Sequence, residues 1–194
     1  MRTWKVICRL KTYPVLLKLG VFLLLLPICS FAQNTVTQTL DATIVPLGGL
    51  VTQAAPLRLT KTESTFNSFA GTITLSYRAR TREGTGQGSI TVKATSDFMP
   101  LGGPSITNPP NPGDTFTYIC SGATLGTPCS GVHSVSTTAA TSIAAIGASA
   151  CTGGGAPCSS ADPNTVNITF ILPDDPKYKT GSYSATLTFT ISAS

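Results

Sequence analysis

Two stretches near the ends of the chain alternate apolar and polar residues with a period of two. In residues 183–192, Tyr183, Ala185, Leu187, Phe189 and Ile191 alternate with Ser184, Thr186, Thr188, Thr190 and Ser192. Successive side chains of a strand point to opposite faces, so this pattern predicts a strand with one face on a core and one in water. Residues 35–45 repeat it less purely. Val36, Gln38, Leu40, Ala42 and Ile44 face Thr35, Thr37, Thr39, Asp41 and Thr43, and Pro46 with Gly48-Gly49 is expected to end the strand.

The same period runs through residues 72–80, with Ile73, Leu75, Tyr77 and Ala79 on one face, and through residues 89–95, with Ile90, Val92 and Ala94. The glycine-rich Glu83-Gly84-Thr85-Gly86-Gln87-Gly88 between them predicts a tight reversal and hence a hairpin. Three spaced glycines also invite comparison with a phosphate-binding loop. Such loops lead into a helix whose N-terminus takes the phosphate, and a strand follows here.

Shorter strands are expected at residues 56–62, with Leu57 and Leu59, and at Phe116, Tyr118 and Cys120. Val166, Ile168, Phe170 and Leu172 form one face of another strand, with Asn167, Thr169 and Ile171 outward. Pro173-Asp174-Asp175-Pro176 separates it from residues 183–192, and the two are expected to pair as a closing hairpin. Residues 97–114 hold Pro100, Pro104, Pro109, Pro110 and Pro112, which excludes a paired strand and predicts a stiff crossover or a binding loop. A short strand fits residues 131–136, while the Ala-rich residues 138–150 fit a short helix or a strand equally. The reading is an all-β fold, an antiparallel sandwich of about seven to nine strands with long Pro/Gly-rich and cystine-containing loops.

The start of the chain changes the charge argument. Arg2, Lys5, Arg9, Lys11 and Lys18 precede an apolar run over residues 19–28, and Ser30-Phe31-Ala32 supplies small residues for cleavage. This is the pattern of a signal peptide over residues 1–32, cut between Ala32 and Gln33. Its apolar run falls short of the roughly 20 residues that a bilayer span needs. Ile28 before Cys29 disfavours lipidation. The remainder, 33–194, is expected to form one domain. Five of the thirteen basic residues leave with the leader, so eight basic residues face eight acidic ones and the formal +5 disappears. Neither nucleic acid nor a membrane surface is then an expected partner. Arg78, Arg80 and Arg82 form one local stripe, read as a solvated face beside Glu83.

Cys120, Cys129, Cys151 and Cys158 remain after cleavage. An even number in an exported chain reads as disulfides, and both local pairs, Cys120–Cys129 and Cys151–Cys158, sit in Gly/Pro-rich stretches. Eight and six residues between them do not match zinc spacing, which is usually two to four. No metal or cofactor is expected, and no catalytic residue. His133, the one histidine, has no acid at a telling spacing, and no serine sits in a nucleophile elbow. Asp174 and Asp175 offer too few ligands for calcium. Asn167-Ile168-Thr169 matches a glycosylation sequon but lies within a strand. The single tryptophan, Trp4, lies in the leader, which weakens a sugar-stacking surface.

The closing run Gly181-Ser182-Tyr183-Ser184-Ala185-Thr186-Leu187-Thr188-Phe189-Thr190-Ile191 resembles the last strand of bacterial secreted Ig-like sandwiches of the spore coat protein U and pilin-like type. The Thr-rich stretch after the leader fits the same layout. Gly181 and Tyr183 also resemble the tyrosine corner of Ig sandwiches. The chain departs from that group in having no cysteine in or near its first strand. The resemblance implies an exported, non-enzymatic structural or adhesive protein of the cell surface, with other protein subunits or surface ligands as partners. The alternative is a secreted ligand- or carbohydrate-binding module that uses the loops at one end of the sandwich.

Overall fold

The computed structural model describes residues 39–51, 56–61, 66–151 and 161–194. Residues Ala42–Ser194 form one compact unit. Among the described residues there is no helix, and ten strands lie in two antiparallel sheets.

The first sheet contains β1 (Leu47–Val51), β2 (Thr60–Lys61), β3 (Phe69–Arg80), β5 (Thr117–Ser121), β7 (His133–Ser134) and β9 (Asn164–Leu172). Its order is β1-β3-β9-β5-β7, with β2 also paired to β3. The second contains β4 (Gly88–Ala94), β6 (Thr127–Pro128), β8 (Thr141–Ile146) and β10 (Leu187–Ala193), in the order β10-β4-β8-β6. Leu75, Tyr77 and Ala79 of β3 and Val166, Ile168 and Phe170 of β9 are buried in one core with Ile90 and Val92 of β4 and Ile143 of β8. The alternation read from the sequence sets these faces.

Two expected hairpins are not hairpins. β3 and β4 belong to different sheets, and so do β9 and β10. Each pair carries its apolar faces toward the other across the core, so the connection crosses between layers instead of closing a ladder. The glycine-rich turn still matters for geometry. A Cβ on Gly86 would come 2.2 Å from the Arg82 backbone nitrogen, so only glycine fits this crossover.

The first strand is also displaced. Residues 39–46 form no strand, and residues 35–38 lie outside the described residues. The ladder instead runs through the expected break, with Leu47 opposite Arg80 and Val51 opposite Ser76. Gly48 permits this, because a Cβ there would meet Ile191 of β10 at 3.1 Å. The glycine read as a breaker is what lets β1 lie close over the second sheet. Of the expected strand at residues 56–62, the described residues 56–61 place only Thr60 and Lys61 in a ladder, and the Ala-rich stretch resolves as strand β8.

One edge of the sandwich is stapled. Cys120 on β5 is bonded to Cys129, just past β6, so the disulfide joins the two sheets. Cys129 N–H donates to the Ile143 carbonyl at 2.7 Å. The Tyr118 hydroxyl crosses the same way, donating to the Ser142 carbonyl at 2.7 Å. Cys151 is also disulfide-bonded; its expected partner, Cys158, lies outside the described residues. Replacing both Cys120 and Cys129 with Ser should lower the unfolding free energy by about 2.5 kcal/mol, from the entropy of so short a loop. Denaturant melts of the two chains check this; coincident midpoints would mean that the staple adds nothing.

Candidate functional site: an open cleft at the unstapled edge

The opposite edge is open. Among the described residues β10 has a ladder partner on one side only, with Leu187 opposite Ala94 and Ala193 opposite Gly88 of β4. Its inward residues Leu187, Phe189 and Ile191 stay half-buried, although the alternation predicts a fully covered face. Toward the end of the sandwich that carries Leu75 and Leu187, the two sheets part around a cavity of about 950 Å³.

The cavity is built mostly from apolar side chains. Leu57, Leu59, Phe69 and Ile73 line the side of the first sheet, and Leu187 and Phe189 the side of the second. Phe98, Phe116 and Phe170 also line it. Phe116 stacks on Phe170 with ring centroids 5.5 Å apart and meets Phe98 edge-on at 5.4 Å.

Residues 173–186 form one wall, and hydrogen bonds hold them there. Met99 and Ser184 exchange two backbone hydrogen bonds of 3.0 Å, and Lys179 N–H donates to the Gly102 carbonyl at 2.8 Å. Lys61 Nζ reaches Asp174 Oδ2 at 2.5 Å and lies 5.7 and 5.8 Å from the Phe66 and Phe69 ring centroids. Asn111 Nδ2 donates to both Asp114 and Asp175, and Lys177 Nζ donates to Asn111 Oδ1 at 2.9 Å. The Lys177 N–H bond, chief among several contacts, holds the Asp175 carboxyl below its ordinary pKa. The Tyr178 hydroxyl is buried without a hydrogen-bond partner among the described residues. Burial and then the charges of Asp114, Asp175 and Asp174 push its pKa up to about 12. It therefore stays a neutral phenol.

The proline-rich loop is the second support of this wall, and one carboxylate shapes it. Asp97 Oδ1 accepts from Phe98 N–H at 2.7 Å and Ile106 N–H at 2.6 Å. Its Oδ2 accepts from Ser105 Oγ at 2.7 Å and Thr107 N–H at 3.2 Å. Burial raises the Asp97 pKa, but these four bonds outweigh it and hold the carboxyl below its usual value.

The residues singled out from the sequence are scattered. His133 stacks on Tyr118 at 5.5 Å and bonds the Ser130 carbonyl, away from the cleft lining. Arg78 pairs with Asp162 at 2.7 Å, where both are largely exposed, and Arg80 holds the Val45 carbonyl. Asn167 accepts a bond from Thr74 Oγ1 at 2.7 Å on the outer sheet face. Asp174 and Asp175 are taken up by Lys61, Asn111 and Lys177. No group of three or more His, Cys, Asp or Glu able to hold a metal occurs among the described residues. The cleft itself escaped the sequence reading. Its only trace there is an excess of Phe and Leu in residues 57–69, outside any long alternation.

A scan against protein-family models finds no match, and searches of curated proteins and of solved structures find none either. What the arrangement offers chemically is apolar surface beside a free strand edge. Because the Asp97 pKa is depressed in the folded chain, its contribution is full above the unfolded-state value near 4 and is lost as pH falls through the folded value. Asp97→Asn should cost about 1–2 kcal/mol at pH 7, kept small by partial exposure. The cost should shrink as pH drops below about 4. Urea melts across pH 2–7 check it; a pH-independent difference would contradict the assignment.

Proposed function

We propose that the chain is an exported, non-enzymatic structural or adhesive β-sandwich of a bacterial cell surface. It joins a partner subunit by taking an extended segment into the open cleft. The observation that carries this reading is the free edge of β10 beside an apolar cavity, with Leu187 and Phe189 only half-covered. A strand added there would pair its backbone with β10 and place alternate side chains in the cleft. Free backbone groups on the edge favour a peptide over a purely apolar small molecule.

The order of the sheets supports the immunoglobulin-like form. In that fold one sheet runs A-B-E-D and the other places F between C and G. The order β1-β3-β9-β5 matches the former, and β10 beside β4 matches F beside C. The Tyr183 hydroxyl donates to the Lys179 carbonyl at 2.5 Å, four residues upstream, as a tyrosine corner does at the approach to strand F. The place of G is then the free side of β10. The leader and the disulfides support an oxidising, exported location.

Residues 35–45 supply a segment of the right pattern. Leu40 and Ile44 lie 91% and 72% exposed, unlike strand residues on a core face. The chain beginning at Gln33 should form higher-order species at micromolar concentration, while the chain lacking residues 33–45 should remain a folded monomer. Light scattering with circular dichroism reads both. A monomer in both cases, equally folded, would sink strand exchange.

A further inference from the structure

We infer that Lys177 and Asn111 react to form a side-chain amide, which staples the wall of the cleft to the proline-rich loop. Lys177 Nζ donates to Asn111 Oδ1 at 2.9 Å, so the amine lies against the carboxamide whose carbon it attacks. Asn111 Nδ2, the group that leaves, donates to Asp114 Oδ2 at 2.8 Å and also to Asp175 Oδ2. A nucleophile, an electrophile and two carboxylates able to carry a proton thus meet around one side chain. The inference is independent of what the cleft receives.

The local sequence fixes both reactants. Asn111 stands between Pro110 and Pro112, whose rings restrict the backbone on either side. The Asp114 N–H donates to the Asn111 carbonyl at 3.0 Å and closes a turn there. Across from it, Asp175 is buried, and its Oδ1 accepts from the Lys177 N–H at 2.6 Å. The Asp175 carbonyl accepts from the Tyr178 N–H at 3.0 Å, which closes a second turn. Both side chains therefore spring from turns set before any reaction, and such prior placement is the main advantage of an intramolecular step. Pro112 has a further effect. An asparagine carboxamide is ordinarily lost when the next backbone nitrogen attacks it, and a proline nitrogen has no hydrogen to give up. That competing route is closed to Asn111.

The step balances without a co-reactant. Lys177 sheds one proton to solvent, and the uncharged amine attacks Asn111 Cγ, so that an Nζ–Cγ bond forms and the carbonyl electrons move onto Oδ1. Asp114 or Asp175 takes the next proton from Nζ and passes it to Nδ2. The carbonyl re-forms, the Cγ–Nδ2 bond breaks, and Nδ2 leaves as ammonia. Nothing is oxidised or reduced. The product ties the loop to the wall, much as the disulfide ties the two sheets at the other edge.

Intact mass spectrometry of the purified chain tests this, before and after incubation at about pH 9, where more of a lysine amine is uncharged than at neutrality. K177R is the comparison. Its guanidinium keeps the charge and can still donate to Asn111, but it stays protonated and is no nucleophile. The unaltered chain should weigh one ammonia less than K177R does relative to their sequences. Tryptic digestion should release one branched peptide that joins residue 111 to residue 177. D114N should form the link several-fold more slowly. If the unaltered chain and K177R show the same ammonia loss, or none, the amide does not form and the inference is overturned. A branched peptide joining any other pair of residues overturns the assignment, and an unchanged rate in D114N removes Asp114 from the mechanism.

Discussion

The inward faces of β3 and β9 press on those of β4 and β8, and this apolar contact dictates how the chain is routed. Tyr77, Ile90, Val92, Ile143, Val166, Ile168 and Phe170 are fully buried in it. Each such side chain is worth about 1.5–3 kcal/mol on burial, against about 1 kcal/mol net for a ladder hydrogen bond. A hairpin of β3 and β4 would set both apolar faces on one side of a single sheet and need another layer to cover them. Sending the two strands into opposite sheets lets the faces cover each other. The same logic separates β9 from β10.

The two edges of the sandwich solve the remaining problem differently. At the β5–β6 edge, the disulfide and the Tyr118 hydroxyl tie one sheet to the other. At the β10 edge, Gly48 lets β1 close on Ile191, but farther along the sheets part and leave Leu187 and Phe189 half-covered. A half-covered apolar face beside a free strand edge is usually blunted by charge, proline or a covering loop. Here the wall of residues 173–186, fixed through Asn111, Asp175, Met99 and Ser184, frames the opening without filling it. The structural cost of the opening is thereby concentrated at one place, which is the physical basis for reading it as functional.

Strand content was legible because the period-two signal is local. Residues 72–80, 89–95 and 166–172 each declare which face is buried, and each is buried on that face. The closing stretch declared its inward face correctly, yet only Leu187–Ala193 forms the strand. Tyr183 to Thr186 belong to the wall instead. Alternation in residues 39–45, the described part of the expected first strand, misled for a different reason. It records a capacity to lie on a sheet, and nothing in it specifies which sheet.

By itself, then, the sequence determined the class of fold, the buried face of each long strand, and the cysteines available for cross-linking. These depend on side-chain period and residue chemistry, which are written along the chain. Only the tertiary structure decided that the supposed hairpins are crossovers, that Gly48 is a contact and not a break, and that one edge stays open among the described residues. Those outcomes depend on which distant surfaces meet, and a glycine or a β-turn signal looks the same in either arrangement. The closing strand is the clearest case: its alternation foretold one face on a core, and its place at the edge of the second sheet left that face half-covered.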